Sequence, residues 1–107
     1  MTLVNPSDAG SLGEVDRLIH EPARLMIMAV LYVVQSADFT FLLAQTGLSW
    51  GNLSSHMSKL EEAGYIEVEK NFVKRRPHTM LRLTEAGRSA FRGYRQKMKQ
   101  VLDDLPD

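Results

Sequence analysis

Residues 39–64 read FTFLLAQTGLSWGNLSSHMSKLEEAG, and the fold turns on how this stretch divides. Phe39 to Thr46 is a short apolar-rich segment, Asp38 before it can cap a helix, and Gly47 suits a left-handed helix end. Leu48 follows, then Ser49 as a fresh N-cap. From Trp50 to Ala63 the apolar residues Leu53, Met57 and Leu60 stand at i, i+4 and i+7, a single stripe, and Gly64 ends the run. Helix, short glycine-containing turn and helix make a helix-turn-helix over about residues 39–64.

Downstream, Tyr65-Ile66-Glu67-Val68-Glu69 and His78-Thr79-Met80-Leu81-Arg82-Leu83 both alternate like strands. Between them Asn71 to Pro77 reads as a basic loop, ended by a proline that cannot join a sheet. A hairpin is expected over about 65–83, with Lys74, Arg75 and Arg76 at its tip. Thr84 then caps a last helix over about 84–105, with Glu85 where the helix dipole favours a negative charge. Its residues Phe91, Tyr94, Met98, Val101 and Leu105 are spaced +3, +4, +3, +4. That seam packs on another helix, either the chain's own first helix or a second copy.

Upstream, Pro22 sits where proline is welcome, at the first position of a helix that runs to about Gln35. Its interior, LMIMAVLYVV, could be a buried strand, but its length and the proline favour a helix. A helix apolar on every side must be covered on every side. A domain of this size covers only part of it, so Leu25 and Met28 join the seam residues as expected dimer contacts. Val15, Leu18 and Ile19 suggest a short helical lead-in from Glu14. Residues 1–13 read as a flexible tail, docking through Leu3 and Val4, which leaves 14–107 as one domain.

Composition sets the outer limits. The chain has 107 residues, one domain's worth, with 44% hydrophobic and 24% charged residues, the balance of a soluble globular protein. It has no cysteine, which excludes disulfides, thiolate metal sites and a cysteine nucleophile. Its three histidines, His20, His56 and His78, have no metal-ligand spacing, and no cofactor is expected. The longest apolar run, Leu25 to Val34, is half the roughly 20 residues of a membrane span, and the N-terminus does not read as a signal peptide. The expected address is the cytoplasm. Net charge is zero, yet residues 1–70 carry nine acids and four bases while residues 71–107 carry four acids and nine bases. A basic segment on a neutral chain is a footprint for an anionic partner, or else a solvated helix face.

Helix, helix-turn-helix, hairpin and C-terminal helix together describe a winged helix. The stretches IHEPARLMIM, TGLSWGNLSSHMSKLEEAGYIEVEKNF and KRRPHTMLRLTEAGR resemble the compact winged-helix transcriptional regulators related to the MarR and ArsR repressors, over about residues 15–105. The fold class expected is mainly α with a small β-hairpin, a winged helix-turn-helix with an added C-terminal dimerisation helix. The resemblance implies a homodimer on double-stranded DNA, with one helix in the major groove and the wing on the backbone or in the minor groove. Trp50 departs from the small polar or acidic residue usual at its position.

With Leu53, Met57 and Leu60 inward, the opposite face of the second helix shows Asn52, Ser55, His56 and Lys59, with Ser49, Trp50 and Gly51 at its start. Asn can bond an adenine edge with two hydrogen bonds, Ser and His suit several base edges, and Lys59 suits a phosphate. No acid precedes Glu61 on this helix. Lys74, Arg75 and Arg76 would meet phosphates or the minor groove, with His78 and Thr79 extending the contact. Arg82, Arg88, Arg92 and Arg95 read as a solvated face or as partners for the acidic N-terminal half, and His20 as structural. A small-molecule effector has room only between the dimer helices and the helix-turn-helix. The alternative function is a winged-helix protein–protein interaction module, which has no need of three adjacent cations. An enzyme is a distant third, since no nucleophile–base pair, P-loop or dinucleotide motif is present.

Overall fold

Helix boundaries follow local chemistry throughout the computed structural model, which describes residues 15–107. Helix α1, Pro22–Val34, starts at an N-cap that periodicity did not reveal: the Glu21 carboxylate accepts from the backbone N–H of Ala23 at 3.2 Å and of Arg24 at 3.0 Å. It stops at Gln35, whose φ of 74° turns the chain into strand β1, Ser36–Asp38. Helix α2, Phe39–Thr46, is capped by Asp38, which accepts from Phe41 N–H at 2.7 Å, and is closed by Gly47 at φ 70°. Helix α3, Trp50–Glu62, begins at Ser49, whose hydroxyl accepts from Asn52 N–H at 3.2 Å. Gly64 at φ 79° then leads into strands β2, Ile66–Val73, and β3, Arg76–Leu83. Helix α4, Glu85–Asp103, is capped by Thr84 and ends two residues before Leu105.

The elements of a winged helix stand in the expected order, with three local corrections. First, Ser36-Ala37-Asp38, which reads as a break, is a strand: it pairs antiparallel with Arg82-Leu81-Met80, so the sheet order is β1-β3-β2. Three residues are too few to display alternation. Second, the strands of the hairpin run on through the segment expected to be a loop. They are closed by a two-residue turn, Lys74-Arg75, at φ 52° and 67°. Pro77 is part of β3. Val73↔Arg76, next to the turn, is the hydrogen-bonded pair of a two-residue hairpin, so Phe72↔Pro77 is a non-bonded pair. The missing N–H of Pro77 therefore faces the open edge beyond β1, where no ladder bond is lost. Third, residues 15–21 form turns and not a helical lead-in. The Asp16 carboxylate takes the N–H of Leu18 and Ile19, offering the backbone an alternative to a helix. The tail expected at 1–13, with Leu3 and Val4, lies outside the described residues, as does Glu14.

One core holds these elements together. Ile27, Met28 and Leu31 of α1 are fully buried with Leu42 of α2, Leu53 and Leu60 of α3, and Leu81 of β3. Burying a leucine-sized side chain contributes about 1.5–3 kcal/mol. The α1 helix is not covered all round: Met26, Val33 and Val34 are exposed, Val33 at 82%. Helix α4 lies along α1 through Phe91 and Tyr94, the Phe91 ring 5.1 Å from that of Tyr32. Gly87 seats the start of α4 closely on a different neighbour, Tyr65 just before β2 and Leu83 of β3. A Cβ there would stand 2.9 Å from both Leu83 Cδ1 and the Tyr65 carbonyl carbon, and closer still to the Tyr65 oxygen.

Candidate nucleic-acid interface

Because Leu53, Met57 and Leu60 are buried, the outer face of α3 is set by helical geometry: Gly51, Asn52, Ser55, Ser58 and Lys59 are all exposed. The face carries no carboxylate before Glu61. Ser49 is exposed, but its oxygen is engaged as the cap. The Trp50 ring rests 4.6 Å from that of Phe39 and remains 68% exposed. A Cβ on Gly51 would meet nothing within 4 Å, so the start of the helix is open.

His56 requires a correction. Expected on the open face, it is drawn to the flank against the start of α1. Its Nδ1 is 3.0 Å from Arg24 Nη1 and 3.5 Å from Glu21 Oε2. Burial alone would raise the Glu21 pKa, but the N–H groups of Arg24 and Ala23, then the charges of His56 and Arg24, hold it below the ordinary 4.5. His56 thus ties α3 to the cap of α1, and one of its ring nitrogens is committed there.

The wing divides similarly. Lys74, Arg75 and Arg76 are exposed and make no ion pair or side-chain hydrogen bond among the described residues. His78 and Thr79 do not project with them. His78 Nε2 lies 3.5 Å from Asp38 Oδ2, and Thr79 is half-buried. Asp38 is held below the usual 3.8 first by the Phe41 N–H, then by the Thr40 hydroxyl, and also by His78. Arg82 is paired with Glu67.

The expected dimer contacts also separate into two groups. Met28, Phe91 and Tyr94 are buried in the chain's own core, so they are not outer seam residues; the α4 stripe is taken up by α1 over this half. Burial raises the Tyr94 pKa, and its hydroxyl stands 2.8 Å from His20 Nδ1, in keeping with a structural His20. Leu25, Met98 and Val101 are half-buried, and Leu105 is exposed. Sequence reading missed Leu102, Val33 and Met26, which are exposed as well. The unbroken apolar run of α1 was the available signal for Val33 and Met26.

An open groove of about 400 Å³ runs between α1 and α4, lined by Leu25, Tyr94, Arg92, Arg95 and Met98 among others. Arg88 and Arg95 lie over the Tyr32 ring at 4.7 and 5.7 Å, and a hydrogen bond from Arg92 lowers the Tyr32 pKa. Among the described residues these arginines find an aromatic partner and no carboxylate. Among the described residues no group of His, Asp and Glu could hold a metal ion, and no helix is long and apolar enough to cross a membrane.

Comparison with known proteins agrees with this geometry. Residues 23–102, which take in nearly all of α1 through α4, match the winged helix DNA-binding domain family. An uncharacterized protein of Methanocaldococcus jannaschii is 34% identical over 89 residues, 83% of this chain and 97% of the relative. The structure of a transcriptional regulator homologue from Pyrococcus horikoshii superposes with a TM-score of 0.85 at 29% identity, over 92% of this chain and 99% of that one. The transcriptional repressor BigR from Xylella fastidiosa superposes at 0.65 with 26% identity, over 88% and 89% of the two chains. MarR-family and ArsR-family regulators share the fold at lower identity. The family is one of DNA-binding domains and not of enzymes. With its cation-tipped hairpin and a helix α3 that carries no acid before Glu61, this chain belongs to the winged helix DNA-binding domain family.

Proposed function

We propose that the protein is a sequence-specific transcriptional regulator that binds double-stranded DNA as a homodimer, with α3 in the major groove and the wing on the adjoining backbone or minor groove. One observation carries the reading. An exposed helix face of Asn52, Ser55 and Lys59 stands in the same fold as three wing cations without an ion pair among the described residues, and no acid interrupts residues 70–84. Phosphate contacts would position the protein, and the polar face would read base edges. The dimer would form through the uncovered apolar residues: Val33 and Met26 of α1, and Val101, Leu102 and Leu105 toward the chain end. An effector would bind in the groove between α1 and α4, close to that contact.

Selection of bound duplexes from a random pool tests the DNA reading. Convergence on a site with two-fold symmetry is the expected result, and failure to enrich any duplex overturns it. Light scattering tests the dimer. Val101→Glu with Leu102→Glu, chosen because Tyr94 is a core residue, should yield a folded monomer from a wild-type dimer.

A further inference from the structure

The hairpin extends well past the core. On the face that begins with buried Ile66 and Leu83, alternation brings Val68↔Leu81, then Lys70↔Thr79, then Phe72↔Pro77. Beyond Val68 five more residues of β2 project, roughly 16 Å of chain. Near the end of that arm, Phe72 is 76% exposed, and no aromatic ring of the described residues lies against it. Nothing in the fold of one chain requires a phenyl group there. The hairpin is already set by its ladder, and Phe72 with the also exposed Val73 gives the end of the arm two adjacent open apolar side chains, more than a lone surface residue. Its neighbours limit what can receive it. Lys70 shares its face, Lys74 and Arg75 form the turn just beyond it and Arg76 stands on the opposite face, none in an ion pair among the described residues, so an apolar plate is presented on an arm whose charged neighbours are cations. A purely apolar protein surface would leave those cations desolvated and unpaired, at a penalty. A nucleic-acid groove meets both demands, with phosphates along its rims and stacked bases at its floor.

We infer that Phe72, backed by Pro77, is a wedge that enters the minor groove and partly unstacks one base step, so that the wing reads how easily the duplex deforms. The inference rests on the DNA-binding reading above. Phenylalanine and proline are side chains that wedge between steps from the minor groove, and pyrimidine–purine steps such as TA and CA yield most readily. The cations at the tip hold the arm on the duplex, while Phe72 makes its grip depend on sequence at a position where no base edge is hydrogen-bonded. The selected site should therefore extend beyond the bases under α3 to include a flexible step under each wing.

The test uses the full chain and a duplex enriched by the wild type, with 2-aminopurine moved step by step through the flanks. Binding of wild type should raise its fluorescence at one step, and replacing that step by a stiff A-tract should weaken binding about tenfold. Phe72→Ala should abolish both the fluorescence rise and the step preference, and Phe72→Leu, still a wedge, should keep most of each. The exposed position makes both variants foldable, which thermal melts would check. Phe72→Ala that binds with an unchanged fluorescence profile overturns the wedge. So does a loss of affinity that is equal on flexible and stiff flanks, which would mean the ring only holds the hairpin. A wild type that binds no duplex at all fails the parent reading, an outcome visible before any variant is made.

Discussion

Gly87 and Gly93 lie six residues apart on α4, and the same substitution should move stability in opposite directions at the two positions. Alanine in place of glycine within a helix is favourable by about 1 kcal/mol, because less backbone freedom is lost on folding. At Gly93 a Cβ meets nothing within 4 Å, so the gain should appear in full. At Gly87 a Cβ would stand 2.9 Å from the Tyr65 carbonyl carbon, where carbon atoms in contact normally stand about 3.5–4.0 Å apart, and nearer still to its oxygen.

The obstacle is backbone. Tyr65 O accepts from Thr84 N–H at 3.0 Å, and Thr84 is itself the cap of α4, accepting from Gly87 N–H at 2.9 Å. No side-chain rotation relieves the overlap, so α4 must move outward by on the order of 1 Å, taking Phe91 and Tyr94 with it. Overpacking of this kind costs typically 1–3 kcal/mol, and an immovable neighbour points to the upper end. Less the propensity gain, Gly87→Ala should lose about 2 kcal/mol. At roughly 4–8 °C per kcal/mol, its Tm should fall by about 8–16 °C, while that of Gly93→Ala rises by about 4–8 °C. Melts followed by circular dichroism at low protein concentration measure both. A Gly87→Ala protein as stable as wild type would refute the reasoning, because it would mean that the start of α4 is not seated against the Tyr65 backbone as described.

Other consequences can be measured on the same protein. Converting Lys74, Arg75 and Arg76 to Gln should bring the log–log salt slope of DNA binding from near −7 toward roughly −2, for about eight phosphate contacts per dimer reduced to about two, with the bases selected under α3 barely changed. Asn52→Ala should cost about 1–3 kcal/mol on a selected site and little on random DNA. His56→Ala, which breaks the tie between α3 and the cap of α1, should weaken both about equally and also lower Tm. Acid should loosen α2. Asp38 has a folded pKa below 3.8, so its ionised form stabilises the fold in full above that value and progressively less as pH falls through the lower folded one. Asp38→Asn, which preserves a capping oxygen, should flatten that part of a Tm-against-pH curve.

What the sequence discloses is mostly local. The α3 stripe, the serine and threonine caps and the two turn glycines, Gly47 and Gly64, each act within four residues, and they delimit the helix-turn-helix correctly. What it conceals depends on distant partners. Helical spacing puts His56 beside Asn52 and Lys59, and only the arrival of Glu21 and Arg24 from α1 withdraws it. Strand alternation fades after Val68 because both faces of the hairpin are then in water, although the ladder continues to Val73. Met28 and Phe91 look like candidates for a dimer seam until the chain's own helices are seen to pack together. Gly87 and Gly93 cannot be told apart by type, since what distinguishes them is a carbonyl 22 residues before the first.

The turn at Lys74-Arg75 bears on how this wing can evolve. Both residues hold positive φ, a conformation that suits asparagine and glycine and is uncomfortable for long side chains. Drift by Lys74→Asn and Arg75→Gly would relax the hairpin and raise the stability of the folded chain. The same two changes would remove two positive charges from the point farthest from the core, where they are best placed to reach a polyanion. Selection for robustness and selection for grip therefore oppose each other at these codons. A thermostable descendant that improves this turn should hold DNA less tightly, unless cations reappear elsewhere on the arm.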